Sequence, residues 1–249
     1  MPRGVLAVAS LLLALGCRSG PGPAPADSRP ASAALDPGVH QQSIAGPGGQ
    51  ELRFTVSVPA GYDGVRRVPL VLALHFGGRA FPPFYGRGVL EVLVQPALES
   101  LGALIVAPDA VDSGWGDQAD EARVLFLLDH VTSTFAVDRK RVLCTGYSMG
   151  GAGTWYFVTH HPDRFSAAIP IAGRPPDGEP AATKVPLYVI HSRADEVVPL
   201  APTESYVAAL RSRGAEVQLT VVDGLTHFQT DRFVEPLRDA LPWLARVWK

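Results

Sequence analysis

The residue with the clearest chemical potential is Ser148, which lies between two glycines in the stretch CTGYSMGGAGTW. A Gly-x-Ser-x-Gly string alone is weak support for catalysis, because it arises by chance in about one in ten chains this rich in glycine. Its setting is more informative, since Arg141 to Tyr147 precedes it as a predicted strand and Met149 to Thr159 follows it as a predicted helix. A strand, a sharp turn and a helix would hold Ser148 in a strained backbone conformation and lift its hydroxyl above a sheet edge. The alternative is that Ser148 only caps the helix, a role that serine often fills.

The glycines around this serine have a predicted physical reason. A Cβ atom at Gly146 or Gly150 would collide with the neighbouring strand or helix if the chain turned sharply here. Capping alone does not need glycine on both sides, so the pattern favours a nucleophile. Ser148 would also lie at the helix N-terminus, where free amides and the helix dipole favour developing negative charge.

A serine hydroxyl is a poor nucleophile at neutral pH and needs a histidine base that a carboxylate orients. Asp195 in HSRADEVVP and His227 in GLTHF each follow a predicted strand. Loops at the carboxyl ends of parallel strands meet at one sheet edge, so we expect Ser148, Asp195 and His227 to come together there. Glu196 and Asp223 are alternatives for the acid, and Asp223 stands in a predicted tight turn.

The other histidines are expected to have other roles. His75 and His191 end predicted strands and should order loops through hydrogen bonds. The rest lie near the N-terminus, in the middle of a helix or at a helix end: His40, His130, His160 and His161. No third ligand stands near the paired histidines at a metal-site spacing, and no HExxH or CxxC pattern occurs, so we expect no metal and no other cofactor.

Apolar runs alternate with helical patterns along most of the chain. Strands are predicted at residues 52–59 and 103–109, at 141–147, and from residues 68, 165, 185 and 216 onward. Helices are predicted at residues 89–102, with a kink at Pro96, and at 117–134, 149–159, 203–214 and 228–248. Because crossovers between parallel strands need helices, this alternation predicts an α/β fold: a doubly wound, mostly parallel sheet in a single domain.

The composition is compatible with one catalytic domain. The chain has 249 residues, of which 47% are hydrophobic, enough to bury a substantial core. Its 22 basic and 24 acidic residues give a net charge of -2, and no basic run occurs. The phosphate backbone of a nucleic acid would find no cluster of basic residues on this protein, so nucleic acid is not an expected partner.

The N-terminus has the pattern of an export signal. Residues 1–17, MPRGVLAVASLLLALGC, join Arg3 to an apolar stretch too short to span a bilayer as a mature helix. The end of this stretch, LALGC, resembles the lipobox of bacterial lipoproteins, which implies lipidation of Cys17 and a membrane contact only through that anchor. Ordinary signal-peptidase cleavage is the alternative. Residues 18–40, rich in Pro, Gly and Ala, predict a tether, and residues 41–249 the folded domain.

From about Leu52 to Trp248 the chain resembles α/β-hydrolases of the esterase type, among them carboxylesterases, phospholipase-like esterases and polyhydroxybutyrate-depolymerase-like esterases. The similar stretches are LALHFGG, VDRKRVLCTGYSMGGAGTWYFVTHHPDRFSAAIPIAG, VIHSRADEVVP and THF. The order Ser148, Asp195, His227 is that of the Ser-His-Asp triad in this fold. The resemblance implies acyl transfer from a small-molecule or oligomeric carboxylic ester to Ser148, and then from the acyl-enzyme to water.

The hydrolase prediction requires two donors for the oxyanion of the tetrahedral intermediate. The backbone amide of Met149 supplies one at the nucleophile turn. Counted from His75, the family pattern points to the Gly77 amide as the second, with Phe76 as the neighbouring candidate. The alternative for Gly77 is a plain turn at the end of a strand.

Aromatic side chains near the predicted strand ends are candidates for substrate binding: Phe76, Tyr147, Trp115 and the loop from Phe81 to Gly88. They would line an apolar pocket, or they could instead cover the core beside the sheet edge.

Two other functions remain open at this point. One is a serine peptidase of the same fold. The other is a noncatalytic binding module of the cell envelope, against which the presence of all three triad residues argues. In each case we expect an exported protein, either a lipoprotein on the outer membrane or the periplasmic face or a secreted one.

Overall fold

The computed structural model describes residues 1, 35–78, 81–111, 114–180 and 183–249. The chain divides into two units, Met1–Pro30 and Ala31–Lys249, and all the described helices and strands belong to the second. The predicted export signal with Cys17, and the predicted tether as far as residue 34, lie outside the described residues. In the part of the chain that the structure describes, no helix has the length and apolar character needed to cross a bilayer.

A single sheet of eight strands runs through the described residues, in the spatial order β1-β2-β4-β3-β5-β6-β7-β8. Strand β2 pairs antiparallel with β1 and with β4, and every other neighbouring pair is parallel. The strands are β1 (Gly38–Ala45), β2 (Glu51–Val58), β3 (Val68–Leu74), β4 (Leu104–Pro108), β5 (Val137–Tyr147), β6 (Ala167–Ile171), β7 (Leu187–Ser192) and β8 (Val217–Val222). The predicted doubly wound, mostly parallel sheet in a single domain is therefore confirmed.

Helices cover both faces of this sheet. The α-helices are α1 (Gly86–Val89), α2 (Gln95–Leu98), α3 (Gln118–Thr134), α4 (Met149–His160), α5 (Leu200–Ser212), α6 (Val234–Arg238) and α7 (Leu241–Val247). A π-helical turn, Leu90–Val94, joins α1 to α2, and short 3₁₀ turns lie at Pro47–Gly49, Glu99–Leu101, Pro162–Arg164 and Thr230–Phe233. Side chains of α3, α4 and α5 pack into one hydrophobic cluster, and those of α1, α2, α6 and α7 pack into the other.

Three predicted helices differ in detail from the observed ones, among them the helix predicted at residues 203–214, which spans Leu200–Ser212. The helix predicted at residues 89–102 begins earlier, at Gly86, and its π-helical turn ends at Val94, two residues before Pro96, which has no N–H for an intrahelical bond. The segment predicted as one helix at residues 228–248 is divided into a 3₁₀ turn, α6 and α7. Pro242 stands in the first turn of α7, where its missing N–H costs nothing, and it marks the start of a separate helix.

Strand β1 has no counterpart among the predicted strands. It begins at Gly38, so Gly38, Val39 and His40, which were assigned to the tether, lie in the sheet instead. The strand pairs with β2 along its whole length, and its residues alternate between exposed and half-buried. An edge strand with one solvated face can contain polar residues such as Gln41 and Gln42. Because these interrupt any continuous apolar run, the sequence pattern does not predict this strand.

The central strands are buried on both faces, which is why their sequences are continuously apolar. All seven residues of β3 are buried, and alternate side chains enter opposite clusters: Leu70, Leu72 and Leu74 on one side, Val71 and Ala73 on the other. Each buried large aliphatic side chain contributes about 1.5–3 kcal/mol, so the sheet is firmly placed between its helical layers. The carboxyl ends of β3 and β5 to β8 consequently form a rigid rim.

Candidate active site

Ser148 occupies the sharp turn between β5 and α4. Its backbone has φ 56° and ψ -115°, a conformation that non-glycine residues adopt only when the surrounding structure enforces it. The Ser148 amide donates to the Ile171 carbonyl at 2.9 Å, and the Ser148 carbonyl accepts from the Ala152 amide at 2.9 Å. The Ser148 side chain forms no capping hydrogen bond. The strained turn is therefore confirmed, and the alternative that Ser148 serves as a helix cap is wrong.

The flanking glycines allow the backbones at this turn to approach closely. A Cβ atom on Gly150 would lie 1.9 Å from the Leu74 carbonyl oxygen, at the end of β3. A Cβ atom on Gly146 would lie 2.4 Å from the Gly150 oxygen and 2.7 Å from the Leu74 oxygen. The predicted collisions are thus confirmed, and the turn cannot form with a side chain at either position.

The structure brings the three predicted triad residues together. The Ser148 hydroxyl lies 2.7 Å from His227 Nε2, and His227 Nδ1 lies 2.8 Å from Asp195 Oδ2. Because the carboxylate can only accept, the Nδ1 proton points to Asp195, which leaves Nε2 free to accept the serine proton. Asp195 and His227 are buried, while Ser148 is half-buried. The arrangement can therefore transfer a proton from the serine to the imidazole at the carboxyl edge of the sheet.

Asp195, rather than Glu196 or Asp223, contacts the imidazole ring. Its second oxygen, Oδ1, accepts hydrogen bonds from the amides of Val197 at 3.0 Å and Val198 at 2.7 Å, which fix the carboxylate plane. Glu196 Oε2 instead accepts from the backbone amide of His227 at 3.0 Å. Asp223 pairs with Arg193 at the surface, where its side chain is 80% exposed.

His191 supports the loop that contains Asp195. Its Nε2–H donates to the Val198 carbonyl at 2.8 Å, and its Nδ1 accepts from the Thr203 hydroxyl at 3.1 Å. The ring is fully buried, and this burial lowers the pKa of His191 below its ordinary value of 6.5, although the nearby Asp195 carboxylate opposes the shift. The predicted loop-ordering role of His191 is confirmed.

His75 does the same for the segment after β3. Its Nδ1–H donates to the Phe76 carbonyl at 2.8 Å, and its Nε2 accepts from the Ala110 amide at 3.0 Å. The rings of Phe81, Tyr85 and Trp115 surround it, with centroids 5.0, 4.8 and 4.8 Å away. Burial lowers the pKa of His75 below 6.5, so the neutral ring keeps both hydrogen bonds.

The two residues predicted to stabilise an oxyanion are neighbours in space. Met149 is the first residue of α4, and the amide of a first helical residue has no partner within its own helix. A Cβ atom on Gly77 would lie 3.8 Å from the Met149 Cβ, an ordinary contact distance. The amides of Met149 and Gly77 thus belong to adjoining segments beside Ser148, and their role in catalysis stays a prediction.

Two of the three aromatic residues predicted to bind substrate are instead part of the interior. Trp115 is 2% exposed, and its indole N–H donates to the His75 carbonyl at 3.0 Å. Tyr147 is 1% exposed, and its hydroxyl donates to the His227 carbonyl at 2.7 Å. Assigning them to a substrate pocket was wrong, because both side chains are covered by the protein and use their polar atoms to hold neighbouring loops. Phe76 is half-buried, with its ring 5.8 Å from that of Tyr85.

Phe228 is an aromatic residue at the site that the sequence analysis did not single out. It is 79% exposed, and its ring centroid lies 5.9 Å from that of His227 in a perpendicular arrangement. Its position directly after the proposed base, in THF, was the available signal. An exposed phenyl ring next to the proposed base can contact an apolar substrate group.

The remaining histidines lie apart from this centre. His160 stacks on Tyr156 with centroids 4.1 Å apart, and His161 pairs with Glu121 at 2.5 Å. Within the described ranges, no three His, Cys, Asp or Glu side chains are grouped so that they could hold a metal ion.

The strand order and the serine turn, with an imidazole and a carboxylate at the same sheet edge, define an α/β-hydrolase. Residues 106–236 match the Dienelactone hydrolase family, which is more than half of the chain, and the chain belongs to that family. The predicted resemblance to α/β-hydrolases of the esterase type is confirmed by this match.

Individual relatives are distant. A probable feruloyl esterase C of Aspergillus terreus is 24% identical over 159 residues, which cover 59% of this chain and 56% of that protein. An uncharacterized secreted protein of Arthroderma benhamiae is 30% identical over 148 residues, which cover 55% of this chain and 16% of that protein. The chain thus spans about half the length of the feruloyl esterase that it matches. The solved structure of a ferulic acid esterase superimposes with a TM-score of 0.68 and 20% identity, covering 87% of this chain and 100% of that one, and shares its fold.

Proposed function

We propose that this protein is a serine hydrolase that cleaves carboxylic esters, with Ser148 as nucleophile, His227 as general base and Asp195 as the group that orients His227. The observation that carries the proposal is the unbroken hydrogen-bonded chain from the Ser148 hydroxyl through the imidazole to a buried carboxylate, at 2.7 and 2.8 Å. Such a chain at a strained turn activates a serine hydroxyl for acyl transfer.

In the proposed mechanism, the Ser148 oxygen attacks the ester carbonyl carbon while its proton moves to His227 Nε2. The carbonyl oxygen gains the negative charge and accepts hydrogen bonds from the amides of Met149 and Gly77. When the tetrahedral intermediate collapses, His227 gives the proton to the departing alkoxide oxygen, which leaves as an alcohol. Water then attacks the acyl-enzyme with His227 again as base, and the acid product and free Ser148 are released. No step needs a cofactor.

Two observations favour esters as the substrate class. The family match and the feruloyl esterase relative point to ester hydrolysis. Beside the imidazole, the exposed Phe228 ring offers an apolar surface to an acyl or alkoxy group, and the half-buried Phe76 follows the strand that leads to Gly77. We therefore propose a small or oligomeric ester with an aryl or alkyl group as substrate.

The test compares p-nitrophenyl acetate, p-nitrophenyl butyrate and methyl ferulate with peptide amides, for the wild type, Ser148→Ala and a control, Ser212→Ala. Ser212 is an exposed serine on α5 whose hydroxyl donates to the Ala209 carbonyl of its own helix. We expect ester hydrolysis by the wild type and the control, and its loss in Ser148→Ala. Cleavage of amides but not esters would indicate a peptidase, and cleavage of neither would favour a binding module.

A fluorophosphonate probe locates the nucleophile independently of the substrate, because it reacts with an activated serine hydroxyl. We expect peptide mapping by mass spectrometry to place the adduct on Ser148. An adduct at another residue would overturn the assignment even if esters are hydrolysed.

We further propose that the chain is exported and anchored through lipidated Cys17. The apolar N-terminal stretch supports this proposal, and one matched relative is described as a secreted protein. Labelling with a radioactive fatty acid and cell fractionation, for the wild type and Cys17→Ser, test it. We expect the fatty acid label in the wild type and not in Cys17→Ser. An unlabelled wild-type protein in the soluble exported fraction would contradict lipidation and support ordinary signal-peptidase cleavage.

A further inference from the structure

The backbone of His227 is held on both sides by side chains that are sequence neighbours of its own triad partners. Tyr147, which precedes Ser148, donates its hydroxyl proton to the His227 carbonyl at 2.7 Å. Glu196, which follows Asp195, accepts from the His227 amide at 3.0 Å. Each partner of the imidazole therefore has a neighbour that contacts the main chain of the same residue.

This matters because His227 lies in a loop, after the end of β8. Loop residues are generally more mobile than the strands that they connect, and a misplacement of about 1 Å at a catalytic group can cost about 100-fold in rate. The imidazole must keep two short contacts at once, to Ser148 and to Asp195. The same loop is anchored further upstream, where the buried Ser192 hydroxyl donates to the Leu225 carbonyl at 2.5 Å.

The Tyr147 contact is the stronger of the two because it is buried. Its ring packs against His227 and Phe233, with centroids 5.5 and 5.1 Å away, and it ends the rigid strand β5. Burial, and after it the charge of Asp195, raises the pKa of Tyr147, so the hydroxyl keeps its proton and remains a donor. Glu196 is exposed, and water can compete for its carboxylate.

We propose that Tyr147 and Glu196 are positioning residues that fix the backbone of His227, and with it the distance from the imidazole to the Ser148 hydroxyl. The inference rests on the proposed serine hydrolase function. It assigns to Tyr147 a contact with the catalytic loop in place of a contact with substrate.

The kinetic test uses Tyr147→Phe, which removes one oxygen atom, and Tyr206→Phe as its control. Tyr206 is also a buried tyrosine with a raised pKa, but it packs against Trp155 and no contact joins it to His227 among those described. With active sites titrated by a fluorophosphonate, we expect Tyr147→Phe to lower kcat about tenfold with KM changed less than about twofold. Tyr206→Phe should match the wild type. Equal kcat values for Tyr147→Phe and the wild type would overturn the proposal for Tyr147.

Glu196 is tested by a pair of substitutions. Glu196→Gln keeps an acceptor oxygen and should hold kcat within about twofold of the wild type, whereas Glu196→Ala removes it and should lower kcat about threefold. A residue with a merely structural role would change the titrated fraction of active protein and leave kcat per active site unaltered. Equal kcat values for Glu196→Ala and the wild type would remove Glu196 from the proposal.

Hydrogen exchange provides a readout that does not depend on catalysis. The amides of residues 223–229, followed by mass spectrometry, should exchange faster in Tyr147→Phe and in Glu196→Ala than in the wild type. Their exchange rates in Tyr206→Phe should equal those of the wild type. If the wild type hydrolyses no ester and takes up no fluorophosphonate, the proposed function fails while this measurement still decides whether the two side chains hold the loop. Unchanged exchange in both variants would show that they do not.

Discussion

Replacing Asp195 with Asn tests the proposed mechanism most directly, because the structure dictates how the amide must orient. Asp195 Oδ1 accepts two backbone hydrogen bonds, from Val197 and Val198, and only the oxygen of an asparagine can keep them. The NH₂ group of the variant would therefore take the place of Oδ2 and donate to His227 Nδ1. The imidazole proton would then lie on Nε2, facing the Ser148 hydroxyl.

An imidazole with its proton on Nε2 cannot accept the serine proton, so the variant should lose base catalysis while keeping nearly the same shape. A wrong tautomer of this kind costs a Ser-His-Asp triad about 10⁴-fold in kcat, or about 5.4 kcal/mol of transition-state stabilisation. The substitution leaves the proposed oxyanion donors, Met149 and Gly77, and the substrate contacts in place, so KM should change far less than kcat.

The assay measures kcat and KM for p-nitrophenyl butyrate, together with the thermal midpoint as a check on folding. Asp223→Asn is the control, since Asp223 lies in a nearby surface loop and pairs only with Arg193 among the described ion pairs. We expect the control to stay within about twofold of the wild type, as exposed ion pairs contribute little. A folded Asp195→Asn variant with kcat within about tenfold of the wild type would refute the tautomer argument and the role of Asp195.

Three further outcomes are expected. Gly150→Ala should lower the free energy of unfolding, measured in urea, by about 3 kcal/mol or more, because its Cβ would lie 1.9 Å from a carbonyl oxygen of β3. The control Gly88→Ala should change this free energy little, because its Cβ would lie 3.7 Å from the nearest atom. Burial lowers the pKa values of His75 and His191 below 6.5, so both rings stay neutral in the folded protein while, below about pH 6.5, the unfolded chain protonates them. These two rings should therefore leave the free energy of unfolding unchanged above about pH 6.5 and lower it below that pH, by up to about 1.4 kcal/mol per pH unit for each ring. A free energy of unfolding that stays constant down to about pH 5 would contradict this. Phe228→Ala should raise KM for p-nitrophenyl butyrate more than for the acetate and leave kcat nearly unchanged, and equal effects on both esters would remove Phe228 from the binding surface.

The elements that position the site could be predicted because their physical signals are local. Strand β3 is buried on both faces, so its sequence is a continuous apolar run. The glycines at 146 and 150 are required by contacts within one turn and its neighbouring strand. Asp195 and His227 directly follow strands, and in a parallel sheet the strand order alone brings such loops to one edge.

Features that depend on distant packing could not be predicted in the same way. Trp115 looks like a pocket residue in sequence, but it is covered because Gly153 on α4 leaves room for it, and a Cβ at Gly153 would lie 2.5 Å from the Trp115 Cβ. Tyr147 is covered by the loop of His227, far away in the chain. Strand β1 is polar and depends on its pairing with β2 for its conformation.

The end of β3 connects the two halves of the proposed machinery. The Leu74 carbonyl lies against the positions of both Gly146 and Gly150, so it sets how closely the serine turn can approach the sheet. The next residue, His75, bonds Phe76 and Ala110 and so fixes the segment that presents Gly77. The nucleophile and both proposed oxyanion donors are thus placed relative to one rigid strand end. The proposed acid and base lie in the loops after β7 and β8 instead, and the contact of Tyr147 with the His227 carbonyl links the loop of the proposed base to the strand that leads to the serine. A change in those loops should therefore impair proton transfer before it disturbs the serine turn or the oxyanion donors.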